Sequence, residues 1–224
     1  MAALRLGFAV LAVSVCFASA AAAGGGPSGD PAAIAFYRQV ESAYGSVHAL
    51  VATRRGFFSY TAAGSAFSFR YGQKPPPGFR VASERLLYVF RNGRTTKFVD
   101  TARAGGMPPL TVIQDASGLW GKVSNCYAHS PGASNFGGVG QRFVGVFGDF
   151  SPLQHSGSTV IVHSTYPWGK TGARATEVDR ISAATNLILS LSGHVNGPAS
   201  FGWSLSGFRQ QGAPTKLPTP TPHC

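Results

Sequence analysis

Six histidines, three cysteines and eight carboxylates are the residues of this 224-residue chain that could carry metal or acid–base chemistry. Their spacing decides what they can do. His48, His129, His155, His163, His194 and His223 stand singly and irregularly, with none of the paired spacings that place two ligands on one metal ion. The chain contains no H-E-x-x-H, no C-x-x-C and no G-x-S-x-G. Gly169-Lys170-Thr171 matches the end of a phosphate-binding loop, but Ser164 stands where the loop's first glycine belongs. Gly137-Gly138-Val139-Gly140 lacks the third glycine of a dinucleotide-binding turn. Glu177 and Asp179 share one face of a strand-like run, where Arg174 or Arg180 are the expected partners. These residues assemble no catalytic constellation, so the chain reads as a non-enzyme with no cofactor and no metal.

Charge narrows the partners further. Nineteen Lys and Arg against eight Asp and Glu give a net charge of +11. The basic residues are scattered, with only Arg54-Arg55 adjacent, so no nucleic-acid-binding run exists. An anionic membrane surface suits scattered cations better, at about 1 kcal/mol for each one that approaches it.

The elements that must position any site begin after residue 23. Residues 1–23 have a basic start at Arg5, an apolar run over 6–17 and a small-residue end, the layout of a cleaved secretory signal. Val15 stands before Cys16 where a lipoprotein box needs a small residue, so Cys16 reads as part of the apolar segment. The mature chain is therefore expected to be periplasmic or secreted and monomeric, with Cys126 and Cys224 available to pair. Residues 24–32 are a flexible linker by composition, 33–209 a single domain, and 210–224 a Pro/Thr-rich tail.

Within the domain the periodicity changes once. Asp30 and Pro31 cap a helical stripe of Ile34, Tyr37, Val40 and Tyr44, which Gly45 stops. Alternation then takes over at Phe67, Phe69 and Tyr71, and resumes over 79–82 after Pro75-Pro76-Pro77-Gly78. The run over 86–90 is apolar on both faces and should be central, and Asn92-Gly93 should turn it back into 95–99 as a hairpin. The spacing predicts a short helix over 110–120 and a strand over 142–147. Four further strands are expected over 159–163, 173–179, 186–191 and 200–205, with Leu187, Leu189 and Leu191 on one face. The sum is an α+β chain with one strongly curved antiparallel sheet, an incomplete barrel with a concave face to fill.

In this order the segments resemble the LolA-like superfamily of lipoprotein and lipid carriers. The likeness spans roughly 33–208. It rests on the amphipathic helix followed by Ser46-Val47-His48-Ala49-Leu50, then on Tyr71-Gly72-Gln73-Lys74-Pro75 leading to Gly78-Phe79-Arg80. The hairpin strand Asn92-Gly93-Arg94-Thr95-Thr96-Lys97-Phe98-Val99-Asp100 follows, and later Glu177-Val178-Asp179 before Ala184-Thr185-Asn186-Leu187-Ile188. The resemblance implies an N-terminal helix and a helical lid over the concave apolar face, which takes acyl chains of a lipoprotein or lipid. The residues it would place in that groove are Phe67, Phe69, Tyr71, Leu86, Tyr88, Phe90, Phe98, Leu110, Ile113, Trp120, Leu189 and Trp203, with ordinary core packing the alternative for each. Lys74 and Arg80 flank the basic turn, Lys74 standing where the family usually carries Arg. The expected role is an extracytoplasmic carrier or sensor. The alternative is an envelope interaction module of the same fold with a groove filled by its own side chains.

Overall fold

The computed structural model of the protein describes residues 26–59, 81–104, 110–123, 126–131, 139–168, 172–196, 200–212 and 220. Helix formation starts where the capping residues stand. Asp30 lies extended at φ −66°, and its Oδ1 accepts the Ala33 amide at 2.7 Å, with Pro31 opening α1 (Pro31–Ala43). A 3-10 turn, Tyr44–Ser46, ends the helix. Its buried face is Ala33, Tyr37, Val40 and Tyr44, one stripe at four- and three-residue spacing, with Ile34 partly covered beside it. Just before it, β1 (Ser28–Gly29) ties down the stretch expected to be a flexible linker: the Ser28 amide donates to Gly148 O and the Asp30 amide to Phe150 O, both at 2.9 Å.

Among the described residues thirteen strands form one sheet. The first run is β2 (Ala49–Ser59), β3 (Val81–Arg91), β4 (Arg94–Ala104), β5 (Leu110–Asp115), β6 (Gly118–Val123) and β7 (Cys126–Pro131). The second is β8 (Asp149–Phe150), β9 (Gln154–Ser156), β10 (Thr159–Trp168), β11 (Ala173–Ser182), β12 (Ile188–Asn196) and β13 (Ser200–Gln211). The first run and β10 to β13 of the second are antiparallel meanders, β8 and β9 both pair antiparallel with β10, and β1 joins β8 in parallel. A seam between β13 and β2 unites them, pairing Ser200 with Ser59 at one end and Gln211 with Ala49 at the other. The result is a mostly-β chain with one short helix and a large curved sheet that does not close.

The hairpin between β3 and β4 turns at Asn92 and Gly93, with φ of 52° and 71°, the paired positive angles of a type I′ turn. Leu86, Tyr88 and Phe90 of β3 enter the main core. Leu87 points the other way, onto a second small cluster of Val99, Ile113 and Trp120 with Tyr127. The expectation that β3 is central and covered on both faces is met.

Three local expectations fail, each for a physical reason. Residues 110–120 form the β5–β6 hairpin and not a helix over the sheet: Thr111, Val112 and Ile113 are β-branched, and Asp115 Oδ1 organises the turn by accepting the Ser117 amide at 2.9 Å and its hydroxyl at 2.6 Å. Residues 142–147 are not a strand beyond one bridge, Arg94 to Arg142, because the successive residues Phe143 and Val144 both turn inward instead of alternating. Leu187, Leu189 and Leu191 do not share a face. A bulge between Arg180 and Ile181 lets Ile188 oppose Ile181 while Ser190 opposes Arg180, and skips Leu189. Leu191 and Ile188 are buried, and Leu189 is 47% exposed.

Candidate functional site

The sheet's inner face and α1 enclose an aromatic interior. Phe143 is its hub: ring centroids lie 4.9 Å from Tyr88, 5.1 Å from Tyr44 and 5.3 Å from Phe90. Tyr88 also meets Phe98 at 5.0 Å, across the β3–β4 register. The segment carrying Phe143 is laced to the hairpin by the Gly140 amide on Thr95 O at 2.7 Å and the Thr95 amide on Gln141 O at 2.9 Å. An ion pair at 2.9 Å joins Arg142 to Glu41 of α1. This part of the interior is thus occupied by the protein's own side chains.

At its rim lies an open pocket of about 300 Å³, lined by Tyr44, Leu50, Leu187, Ile188, Leu189 and Phe208, with Thr185 and Gln210 at its polar margin. Two irregularities build it. The bulge in β12 leaves Leu189 at the edge, and a second bulge, between Ser206 and Arg209 of β13, carries Phe208 past Gly207 at φ 65°. Tyr44, Leu50 and Ile188 belong at once to the pocket wall and the main core, so the pocket continues the apolar interior outward.

Of the residues expected in a groove, Leu86, Tyr88, Phe90 and Phe98 come together in the interior, and Leu189 stands at the rim pocket. Ile113 and Trp120 lie apart from them: strand alternation puts them on the opposite sheet face, where Trp120 stacks on His129 with centroids 3.8 Å apart. Leu110 opens β5, and Trp203 sits in β13 opposite Gly193 and Gly56. Phe67, Phe69, Tyr71, Lys74, Arg80 and Cys224 lie outside the described residues. Cys126 is disulfide-bonded to a partner that also lies outside them. Among the described residues no group of three or more His, Cys, Asp and Glu is placed to hold a metal ion, and no helix is long and apolar enough to cross a membrane.

The order of strands and the helix laid against the sheet can be compared with solved structures. LppX, a lipoprotein of Mycobacterium tuberculosis, matches with a TM-score of 0.50 over 80% of this chain and 96% of its own, at 13% identity. The fold is similar to that of LppX. LprF of Mycobacterium bovis matches with a TM-score of 0.45 over 86% of this chain and 99% of its own, at 15% identity. No protein-family model matches the chain, and no curated protein matches it in sequence.

One cluster within this LppX-type sheet was not legible beforehand. Glu177 and Asp179 do not pair with Arg174 or Arg180, which alternate to the other face and are exposed. The two carboxylates point into the core, 3% and 1% exposed. Tyr37 of α1 donates a short hydrogen bond to Asp179 Oδ2, and Tyr166 of β10 donates to Glu177 Oε2 at 3.3 Å. Asp179 Oδ1 has no hydrogen-bond partner. Burial raises the Asp179 carboxyl to about 7, against a smaller lowering by the Tyr37 hydroxyl. Burial, together with the neighbouring acids, likewise pushes both tyrosines well above their ordinary range. The missed signal was parity: Ala173, Ala175 and Ile181 share the face of Glu177 and Asp179, and an apolar face marks the inside.

Proposed function

We propose that the protein is an extracytoplasmic, non-catalytic acyl-chain-binding protein of the cell envelope, taking a lipid or the lipid of a lipoprotein at the rim pocket. The observation that carries this reading is an open pocket of mixed polar and apolar lining that shares Tyr44, Leu50 and Ile188 with the core, beside an exposed Leu189. Its volume of about 300 Å³ is at the lower end of small-molecule sites. It holds roughly ten groups the size of a water molecule at about 30 Å³ each. At about 0.8 kcal/mol per methylene buried, a ten-carbon stretch gains about 8 kcal/mol before the costs of immobilisation. One acyl chain therefore fits part-way, with Thr185 and Gln210 among the lining residues able to meet its polar end.

The LolA-like resemblance supports the same reading and extends it to transfer between membranes, with the scattered positive charge favouring a peripheral contact on an anionic surface. A second reading, an interaction module with a self-filled groove, is favoured by the packing of Phe143, Tyr88 and Phe98 across the concave face. Native mass spectrometry of the mature protein taken from its own envelope, followed by organic extraction, separates the two. A reproducible added mass that extracts as lipid, and that Leu187→Lys abolishes, is the expected result. A protein that is apo on isolation and stays apo when mixed with lipids or acyl-peptides sinks the carrier reading and leaves the interaction module.

A further inference from the structure

Helix α1 is tied at both ends, by the Glu41–Arg142 ion pair, and midway along its length, and the midway tie is unlike the others. Its N-terminal end is held by backbone hydrogen bonds at Ser28 and Asp30, and its C-terminal end by the Tyr44 ring among aromatic neighbours. Midway, Tyr37 reaches a carboxylate 142 positions later in the chain, its ring tilted at 53° to that of Phe150 with centroids 5.3 Å apart. That carboxylate is covered by the helix on one side and by its sheet neighbours on the others: Val162 of β10 and Leu191 of β12 stand opposite it.

We propose that the Tyr37–Asp179 contact, backed by Glu177 and Tyr166, is a proton-dependent latch. It holds α1 on the sheet while Asp179 is protonated and releases it when the proton leaves, opening the way from the rim pocket into the interior.

The groups facing Asp179 are Tyr37 and, farther off, Tyr44 from α1, Tyr166 from β10 and Glu177 on its own strand; β12 contributes only Leu191 and Gly193 there. Phe147 and Phe150, from the segment behind, add only rings. Lifting α1 removes the cover from Asp179 and lets water reach it, so the lifted state ionises in the ordinary carboxylate range. The seated state holds its proton up to about pH 7, because burial penalises the charge more than the Tyr37 hydroxyl relieves it. The sign follows from linkage: a raised carboxyl favours the seated state fully below the ordinary carboxylate range, and that advantage is lost as pH rises through the raised value. Tyr44 ends α1 and lines the rim pocket, so lifting the helix removes one wall of the pocket and uncovers Tyr88 and Phe90 behind it.

The control of access rests on the acyl-binding reading; the latch itself does not, and two assays keep the failures apart. In the absence of lipid, amide hydrogen exchange of α1, corrected for the intrinsic rate, should lose protection by about a hundredfold between about pH 5 and pH 8, tenfold being the weight of one pKa unit. Amides of the β3–β4 hairpin should hold theirs. Asp179→Asn should flatten the α1 profile. Tyr37→Phe keeps the ring and removes the hydroxyl that eases ionisation of the seated state, so the loss should begin at the same pH and continue to higher pH, an extension that mere packing damage would not produce. Protection independent of pH in the wild type, or an identical fall in Asp179→Asn, overturns the latch. Uptake of a fluorescent fatty acid should quicken over the same range in the wild type. No uptake at any pH, with the exchange transition intact, rejects the acyl-binding reading and leaves the latch standing.

Discussion

Replacing Phe143 by Ala should cost more than any change on the same segment, and the structure sets the size. The side chain is 2% exposed and touches rings from the helix end and from β3. Truncating a buried Phe to Ala costs about 3–5 kcal/mol. Three aromatic contacts at about 0.5–1.5 kcal/mol each reach the same range by a separate route. The other ties of the segment include backbone hydrogen bonds, the buried Val144, the Phe147–Tyr166 contact and the Arg142–Glu41 ion pair, whose Arg side chain is half exposed and therefore contributes about 1 kcal/mol at most. Urea unfolding of the mature, oxidised chain, followed by far-UV circular dichroism, gives the comparison. Phe143→Ala should lower stability by about 3–5 kcal/mol and admit an environment-sensitive apolar dye to the interior, while Arg142→Ala stays within about 1 kcal/mol of wild type. A Phe143→Ala protein within about 1 kcal/mol of wild type, or an Arg142→Ala protein equally damaged, would refute the view that this ring seals the interior.

Two more outcomes follow from backbone and covalent constraints. Gly29 has φ +93°, and a Cβ there would lie 2.2 Å from Phe150 O, so Gly29→Ala should cost about 2 kcal/mol or more and free the Asp30 amide to exchange, leaving β10–β11 protected; an unchanged Asp30 amide would contradict this. Reducing the Cys126 disulfide should lower the urea stability by about 2–4 kcal/mol, and non-reducing peptide mapping should recover Cys126 joined to Cys224; unchanged stability on verified reduction would show that the crosslink constrains little.

How far the sequence could be read depended on whether a signal was local. Asp30, Pro31 and the stripe ending at Tyr44 specify the helix from adjacent residues, and Asn92-Gly93 specifies its turn because two positive φ values suit those residues best. Strand alternation placed β10, β11 and β13 for the same reason. What failed depended on partners distant in the chain. Leu189 alternates correctly with Leu187 and Leu191 on paper, and only the bulge opposite Arg180 takes it out of phase. Residues 110–120 carry an apolar density that fits a helix or a hairpin, and the neighbouring strand β4 decides for the hairpin. At the site, the aromatic alternation of β3 and β4 was visible, whereas Asp179 acquires its character from Tyr37, which no spacing rule links to it.

The seam between β13 and β2 has a consequence for how the molecule comes into being. Each meander can zip up from neighbouring hairpins, but the seam asks Ser59 to find Ser200, a contact whose loop-closure entropy is met only late in folding. A chain made from its N-terminus onward holds β2 with one side unpaired until its last strand has been synthesised. Commitment to the native state therefore waits for β13, which leaves an open strand edge on β2 that needs protection from its neighbours until β13 arrives.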